Sequence, residues 1–188
     1  MHALRLLRPL VAAALVLLSG APAHAELRIS DLDVFLNDHV VTVHAVLLDA
    51  IPEGFQEGVK SGIPAHVRLT IELWQYRRLL PDNLLTAKVI ERTLVYNVVT
   101  KEYKVTAVRG ETRPVYATRD LRDAQRVLSE IRGIKMTPAT ALDPFPVIYV
   151  RVNAEAALNG ENTFVARMNG TAEQTSRQSD YRTIKRMQ

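Results

Sequence analysis

The chain contains no cysteine. Disulfide crosslinks, thiol catalysis and thiolate metal sites are therefore excluded, and the fold must stand on packing alone. A lipid anchor built on a cysteine after an apolar leader is excluded for the same reason. Histidine is scarce: beyond residue 25 there are only His39, His44 and His66. His39 and His44 are an odd number of residues apart and would face opposite sides of one strand. His44 and His66 would meet only across neighbouring strands, and no third zinc ligand is nominated. Ser30, Ser61, Ser129, Ser176 and Ser179 lie in no Gly-x-Ser-x-Gly or Ser-x-x-Lys setting. Phosphate-cradling glycine loops are missing as well. No catalytic residue, cofactor or metal is nominated, and the expectation is a non-enzymatic protein.

Neither sign of charge dominates. The formal charge is +4, and it falls to +2 when Arg5 and Arg8 are set aside. That imbalance is too small for a nucleic-acid binder. Long apolar runs are missing too. The longest, Leu10–Leu18, is too short to cross about 30 Å of hydrocarbon. Behind Arg5 and Arg8, and followed by Ser19-Gly20-Ala21-Pro22 and Ala23-His24-Ala25, it reads as a secretory signal peptide over residues 1–25. Cleavage before Glu26 and a periplasmic location are expected.

What is present is alternation. In Pro64–Tyr76, Val67, Leu69, Ile71 and Leu73 point one way, and Arg68, Thr70, Glu72, Trp74 and Tyr76 the other. This period of two marks a long strand with one dry face, the expected centre of an antiparallel sheet. Leu27–Leu36 and Val40–Leu48 read as a hairpin about Asn37-Asp38. Ile51, Phe55 and Val59 recur every four residues in a helix that Gly62 stops. Ala87–Val98, with Ile90, Leu94, Tyr96 and Val98 on one face, pairs with a strand carrying Tyr103, Val105 and Ala107.

A second helix is capped by Thr118 or Asp120, carries Leu121, Ala124, Val127, Leu128 and Ile131 as its stripe, and ends at Gly133. Pro138, Pro144 and Pro146 then punctuate a loop before a strand at Val147–Val152. Asn159-Gly160 reads as a turn, and Thr163–Met168 as a last edge strand. The expected fold is mainly β: an antiparallel β-sandwich or curled sheet with two covering helices. One domain is expected over residues 26–168, followed by a flexible polar tail over 169–188.

The order of these parts resembles a bacterial exported-protein family known as domain of unknown function 4390. The likeness runs from about Leu27 to Leu158. It is carried by Lys60-Ser61-Gly62-Ile63-Pro64, by Leu73-Trp74-Gln75-Tyr76-Arg77-Arg78, by the Glu91-Arg92-Thr93 strand, by the Tyr96–Tyr103 hairpin and by Ala117-Thr118. The resemblance implies a small envelope protein with a link to envelope sensing, and it carries over no catalytic residues.

Three polar groupings remain. Asp31, Asp33, Asn37 and Asp38 cluster near the first turn; they read as a solubilising edge or as oxygen ligands for calcium. Glu72 stands two pleats from Arg68 and is expected in a cross-strand ion pair. Trp74, Tyr76, Arg77 and Arg78 place two aromatics and two guanidinium groups at one strand end. They either hold a ligand or partner, or pack under the Leu121–Ile131 helix with the arginines solvated. The expected partner is an envelope protein or a small anionic or apolar ligand. Arg177, Arg182, Lys185 and Arg186 add weak contact with a membrane surface through the tail. A carrier with a lipid cavity between sheet and helix is the alternative.

Overall fold

A computed structural model describes residues 26–159 and 172–187. The chain passes through β1 (Arg28–Asn37), β2 (Val40–Leu48), α1 (Glu53–Lys60), β3 (Ala65–Gln75), β4 (Asn83–Asn97), β5 (Glu102–Arg109) and β6 (Tyr116–Thr118). It continues through α2 (Leu121–Ser129), β7 (Glu130–Pro138), β8 (Ile148–Leu158), β9 (Ala172–Gln178) and α3 (Ile184–Met187). Two antiparallel sheets result. One has the order β1-β2-β7 and the other β6-β5-β4-β3-β8-β9.

The alternation in β3 is obeyed throughout. Ala65, Val67, Leu69, Ile71 and Leu73 are buried, whereas His66, Arg68, Thr70, Glu72 and Trp74 are not. Each large aliphatic side chain sealed in this way contributes about 1.5–3 kcal/mol. β3 pairs with β8 residue for residue, from Ala65 opposite Leu158 to Gln75 opposite Ile148. Both sheets feed one core, in which Val34, Val41, Val43 and Leu47 meet Leu69, Ile71, Leu73, Val150 and Val152. Phe55 and Val59 of α1 and Ala124 and Leu128 of α2 belong to the same core. Both helices cover as expected.

The end of α2 departs from the sequence reading. The helix stops at Ser129, and Glu130 opens β7, which pairs with β2. Ile131 satisfies either period, because it is buried as a strand residue and also continues the helical stripe. Long-range pairing decides between them. β7 takes the edge of β2 not used by β1, and the side chain of Arg92 takes the helix end. Arg92, 1% exposed, donates through Nη1 to the carbonyls of Val127 (2.7 Å), Leu128 (3.1 Å) and Glu130 (2.8 Å). A continuing helix would need the Val127 and Leu128 carbonyls for itself. Arg92 also pairs with Glu111 through Nε and, at 3.0 Å, Nη2.

Gly110 makes that pairing reachable. Its φ is +82°, and a Cβ there would stand 1.9 Å from the Val89 carbonyl oxygen, so no other residue fits the turn.

Four further expectations are corrected. The first half of the proline-punctuated loop is β7. Val98 lies in the turn after β4 instead of on its inner face. The strand placed at Val147–Val152 runs on to Leu158. The flexible tail is structured where it is described: β9 pairs with β8 from Ala157–Ala172 to Arg151–Gln178. Strand pairing uses backbone groups and does not require apolar side chains. Side chains then fasten the segment: Glu173 accepts from the Leu27 amide at 2.8 Å, Arg177 donates to the Ile29 carbonyl at 2.9 Å, and Ile184 is buried. The signal segment, Gly160 of the turn and the edge strand at Thr163–Met168 lie outside the described residues.

Removing one partner of a buried ion pair strands the other. Arg92→Ala is therefore expected to lower the unfolding free energy by about 3–5 kcal/mol in a urea titration. Burial pushes the Glu111 carboxyl up, but the hydrogen bond and charge of Arg92, with Arg113 behind them, outweigh it and hold the pKa below its ordinary value. A depressed carboxylate stabilises above its unfolded pKa and loses that contribution as pH falls through its folded pKa. Stability measured down through the carboxylate range should therefore fall more steeply in the native protein than in Glu111→Gln.

Candidate functional site

Trp74 is the last residue but one of β3, on the outer face of the large sheet, and register places Tyr149 of β8 beside it. Their rings are nearly parallel, 8° apart with centroids at 6.5 Å. The Arg151 guanidinium lies 5.2 Å from the Trp74 ring and 5.8 Å from that of Tyr149. The Trp74 indole N–H donates to Glu72 at 2.9 Å. Arg68 pairs instead with Glu91, directly across on β4, at 3.3 Å. The cross-strand ion pair expected of Glu72 is made by Arg68 with Glu91 instead, and Glu72 accepts from Trp74.

Tyr149 is only 2% exposed. Its hydroxyl donates to Asp82 at 2.8 Å, and the other oxygen of Asp82 accepts from the Arg77 amide at 3.0 Å. One carboxylate thus clamps the connection between β3 and β4 to the sheet. The electrostatics agree. Burial, then the bond to Asp82, push the Tyr149 hydroxyl up to about 12. The Arg77 amide, then Tyr149, hold the Asp82 carboxyl below its usual range. The Tyr76 amide donates to the Val147 carbonyl at 2.8 Å and carries the β3–β8 ladder one step further. Tyr181 packs its ring edge on Tyr149 at 5.3 Å and lies 5.2 Å from Tyr76.

This scaffold holds out a rim. Leu79 is 91% exposed, Leu80 65% and Phe145 79%. Arg77 and Arg78 are exposed beside the leucines. Lys185 stands 5.2 Å from the Phe145 ring, and Arg186 is exposed next to it.

The four residues nominated from sequence thus share one end of the sheet, but in different capacities. Trp74 is half-buried foundation, Tyr76 is half-exposed, and Arg77 and Arg78 are presented to solvent. Helix α2 does not lie over them; it packs against β2, β4, β5 and β6. Sequence reasoning missed Asp82, Tyr149, Arg151, Tyr181, Leu79, Leu80 and Phe145. A signal existed for two of these. Leu79-Leu80 is an apolar pair between Arg78 and Pro81 that belongs to no periodic stripe.

The other candidates are dispersed. His44 is in the small sheet against Phe35, ring centroids 4.6 Å apart, while His66 is in the large sheet 3.2 Å from the Thr93 hydroxyl. They cannot meet across neighbouring strands. Asp31 and Asp33 lie on an exposed face of β1. Among the described residues no group of three or more His, Asp or Glu can hold a metal ion. An open groove of about 350 Å³ lies between Arg113–Tyr116 and the α2 residues Arg126 and Val127. Its polar walls bond to each other, with Asp123 accepting from Tyr116 and from Arg126.

No curated protein and no solved structure matches the chain. A family model does, over residues 24–159, which takes in both sheets except β9 and includes Trp74, Tyr76–Arg78, Asp82, Phe145 and Tyr149. That span exceeds half of the chain, and the protein belongs to the family described as Domain of unknown function (DUF4390).

Proposed function

We propose that this protein is an exported, non-enzymatic recognition module of the bacterial cell envelope that docks its partner through the Trp74–Arg78 end of the large sheet. The observation that carries the reading is the Asp82 clamp. Tyr149 and the Arg77 amide both bond to this carboxylate, so a loop bearing exposed arginines and leucines is held by the sheet and does not trail from it. Preorganisation of this kind lowers the ordering cost of binding. Export is supported by the basic–apolar–small-residue order of residues 1–25. Among the described residues no helix is long and apolar enough to cross a membrane.

The non-enzymatic reading is in keeping with three carboxylates that are engaged in structural pairs. Asp82, Glu111 and Asp123 are all held below their ordinary pKa, which suits anions in structural pairs and not general acids. The carrier reading finds less support. The space where α2 meets the sheet is filled by Ala124, Leu128, Leu94 and Val105, none of them exposed.

A photo-crosslinking residue at position 79 should give a discrete adduct in cells, identified by mass as protein or lipid. One at Val99, 85% exposed in the hairpin at the opposite end, should not. Equal labelling from both positions, or none from either, would remove the reading. Loss of the clamp in Asp82→Ala should speed hydrogen exchange of the Arg77 amide by at least tenfold while the core amides of β3 stay protected.

A further inference from the structure

We infer that the Arg77–Leu80 loop, together with Phe145, is a peripheral contact for an anionic lipid surface. The inference rests on the reading that this end of the sheet is the binding end, and it names the partner class. Three side chains that a folded protein would ordinarily cover stand out here: Leu79, Leu80 and Phe145 are among its most exposed large apolar residues. They share one end of the sandwich, because the Tyr76 amide is bonded to the Val147 carbonyl and so joins the roots of their two loops.

Cations ring them. Arg77 and Arg78 precede the leucines, Lys185 lies over Phe145, and Arg186 is exposed beside it. The exposed acids nearby are Asp143 and Asp180, fewer than the cations. Asp82 is already engaged by Tyr149 and the Arg77 amide.

The shape selects the partner. A protein hot spot is a side chain seated in a well-packed pocket, and Trp74, which would suit that task, is occupied by Tyr149 and Arg151. What is offered instead are exposed aliphatic and aromatic side chains with basic groups beside them. Side chains of this kind enter the boundary between headgroups and acyl chains, while the guanidinium and ammonium groups stay level with the phosphates. β9 and α3 contribute to this end by bringing Tyr181, Lys185 and Arg186 to the loops, so the C-terminal segment and the β3–β4 connection form one surface.

The only tryptophan of the chain, Trp74, lies at the root of the loop and reports on this end alone. The purified full chain is mixed with vesicles of phosphatidylglycerol and phosphatidylcholine in equal parts, or of phosphatidylcholine alone, the phosphatidylcholine carrying bromine on its acyl chains as a quencher. The apolar N-terminal stretch is common to every variant, so differences between variants belong to the loop. Trp74 should be quenched on the mixed vesicles and much less on the neutral ones, with quenching weakened by salt. Arg77→Gln with Arg78→Gln should weaken binding roughly 30-fold. Leu79→Asn with Leu80→Asn should weaken it comparably. These side chains are outside the core, and unchanged thermal unfolding confirms that the variants fold.

Quenching indifferent to both pairs of substitutions overturns the inference, as does a loss with Arg77→Gln and Arg78→Gln that is no larger on the mixed vesicles than on the neutral ones. If vesicles fail while position 79 crosslinks to a protein, the binding end stands and the lipid surface falls. If neither occurs, both fall.

Discussion

A guanidinium group buried in a β-sandwich core is the constraint around which the layers close. Arg92 lies between Ile90 and Leu94 on the inner face of β4 and is as buried as they are. Desolvating such a charge costs several kcal/mol, and the Glu111 pair with two carbonyls of the last turn of α2 and that of Glu130 offsets it. The contact is better understood as specification than as stabilisation, since an apolar side chain of similar volume can pack equally well but cannot end a helix. By taking the last carbonyls of α2, Arg92 sets where the helix stops and β7 begins. Three segments distant in sequence then have one relative placement: β4, the turn at Gly110–Glu111, and the α2–β7 junction.

The opposite side of the same sheet is organised by a different carboxylate. Asp82 has no buried charge to balance and works through geometry, by joining the Tyr149 hydroxyl to the Arg77 amide. The inner face of the sheet therefore builds the fold and the outer end builds the candidate site, with β3 and β8 common to both. Trp74 belongs to the second system as a support. Its ring is committed to Tyr149 and Arg151, and its N–H to Glu72. The side chains this end leaves open to solvent are the ones beyond it.

Legibility followed the range of the forces involved. β3 could be read directly because one period of two decides which side of every residue is dry. The β1–β2 hairpin was legible from Asn37-Asp38, one residue ahead of the turn itself, where Asp38 and His39 both take positive φ. The α2–β7 boundary was not, since Ile131 fits both periods and the deciding partner, Arg92, is far away in sequence. Its signal was nevertheless printed in the strand, as a charge at the position period two assigns to the core between Ile90 and Leu94. β9 was illegible for another reason. Its pairing is made by peptide groups that every residue carries, and a polar sequence such as Ala-Glu-Gln-Thr-Ser-Arg-Gln does not advertise it. In the site, the aromatic–basic end was visible as a cluster, but Tyr149 and Tyr181 joined it only through register and chain return.

The fastening of β9 and α3 bears on how the chain can be made. Glu173 and Arg177 grip the backbone of the first strand, at Leu27 and Ile29, so the opening and closing segments of the domain depend on each other. A ribosome or a translocation channel delivers the opening segment first, and it must wait with one flank of β8 bare until residues 172–187 emerge. Final assembly of the opening strand therefore follows delivery of residues 172–187 and does not keep pace with synthesis.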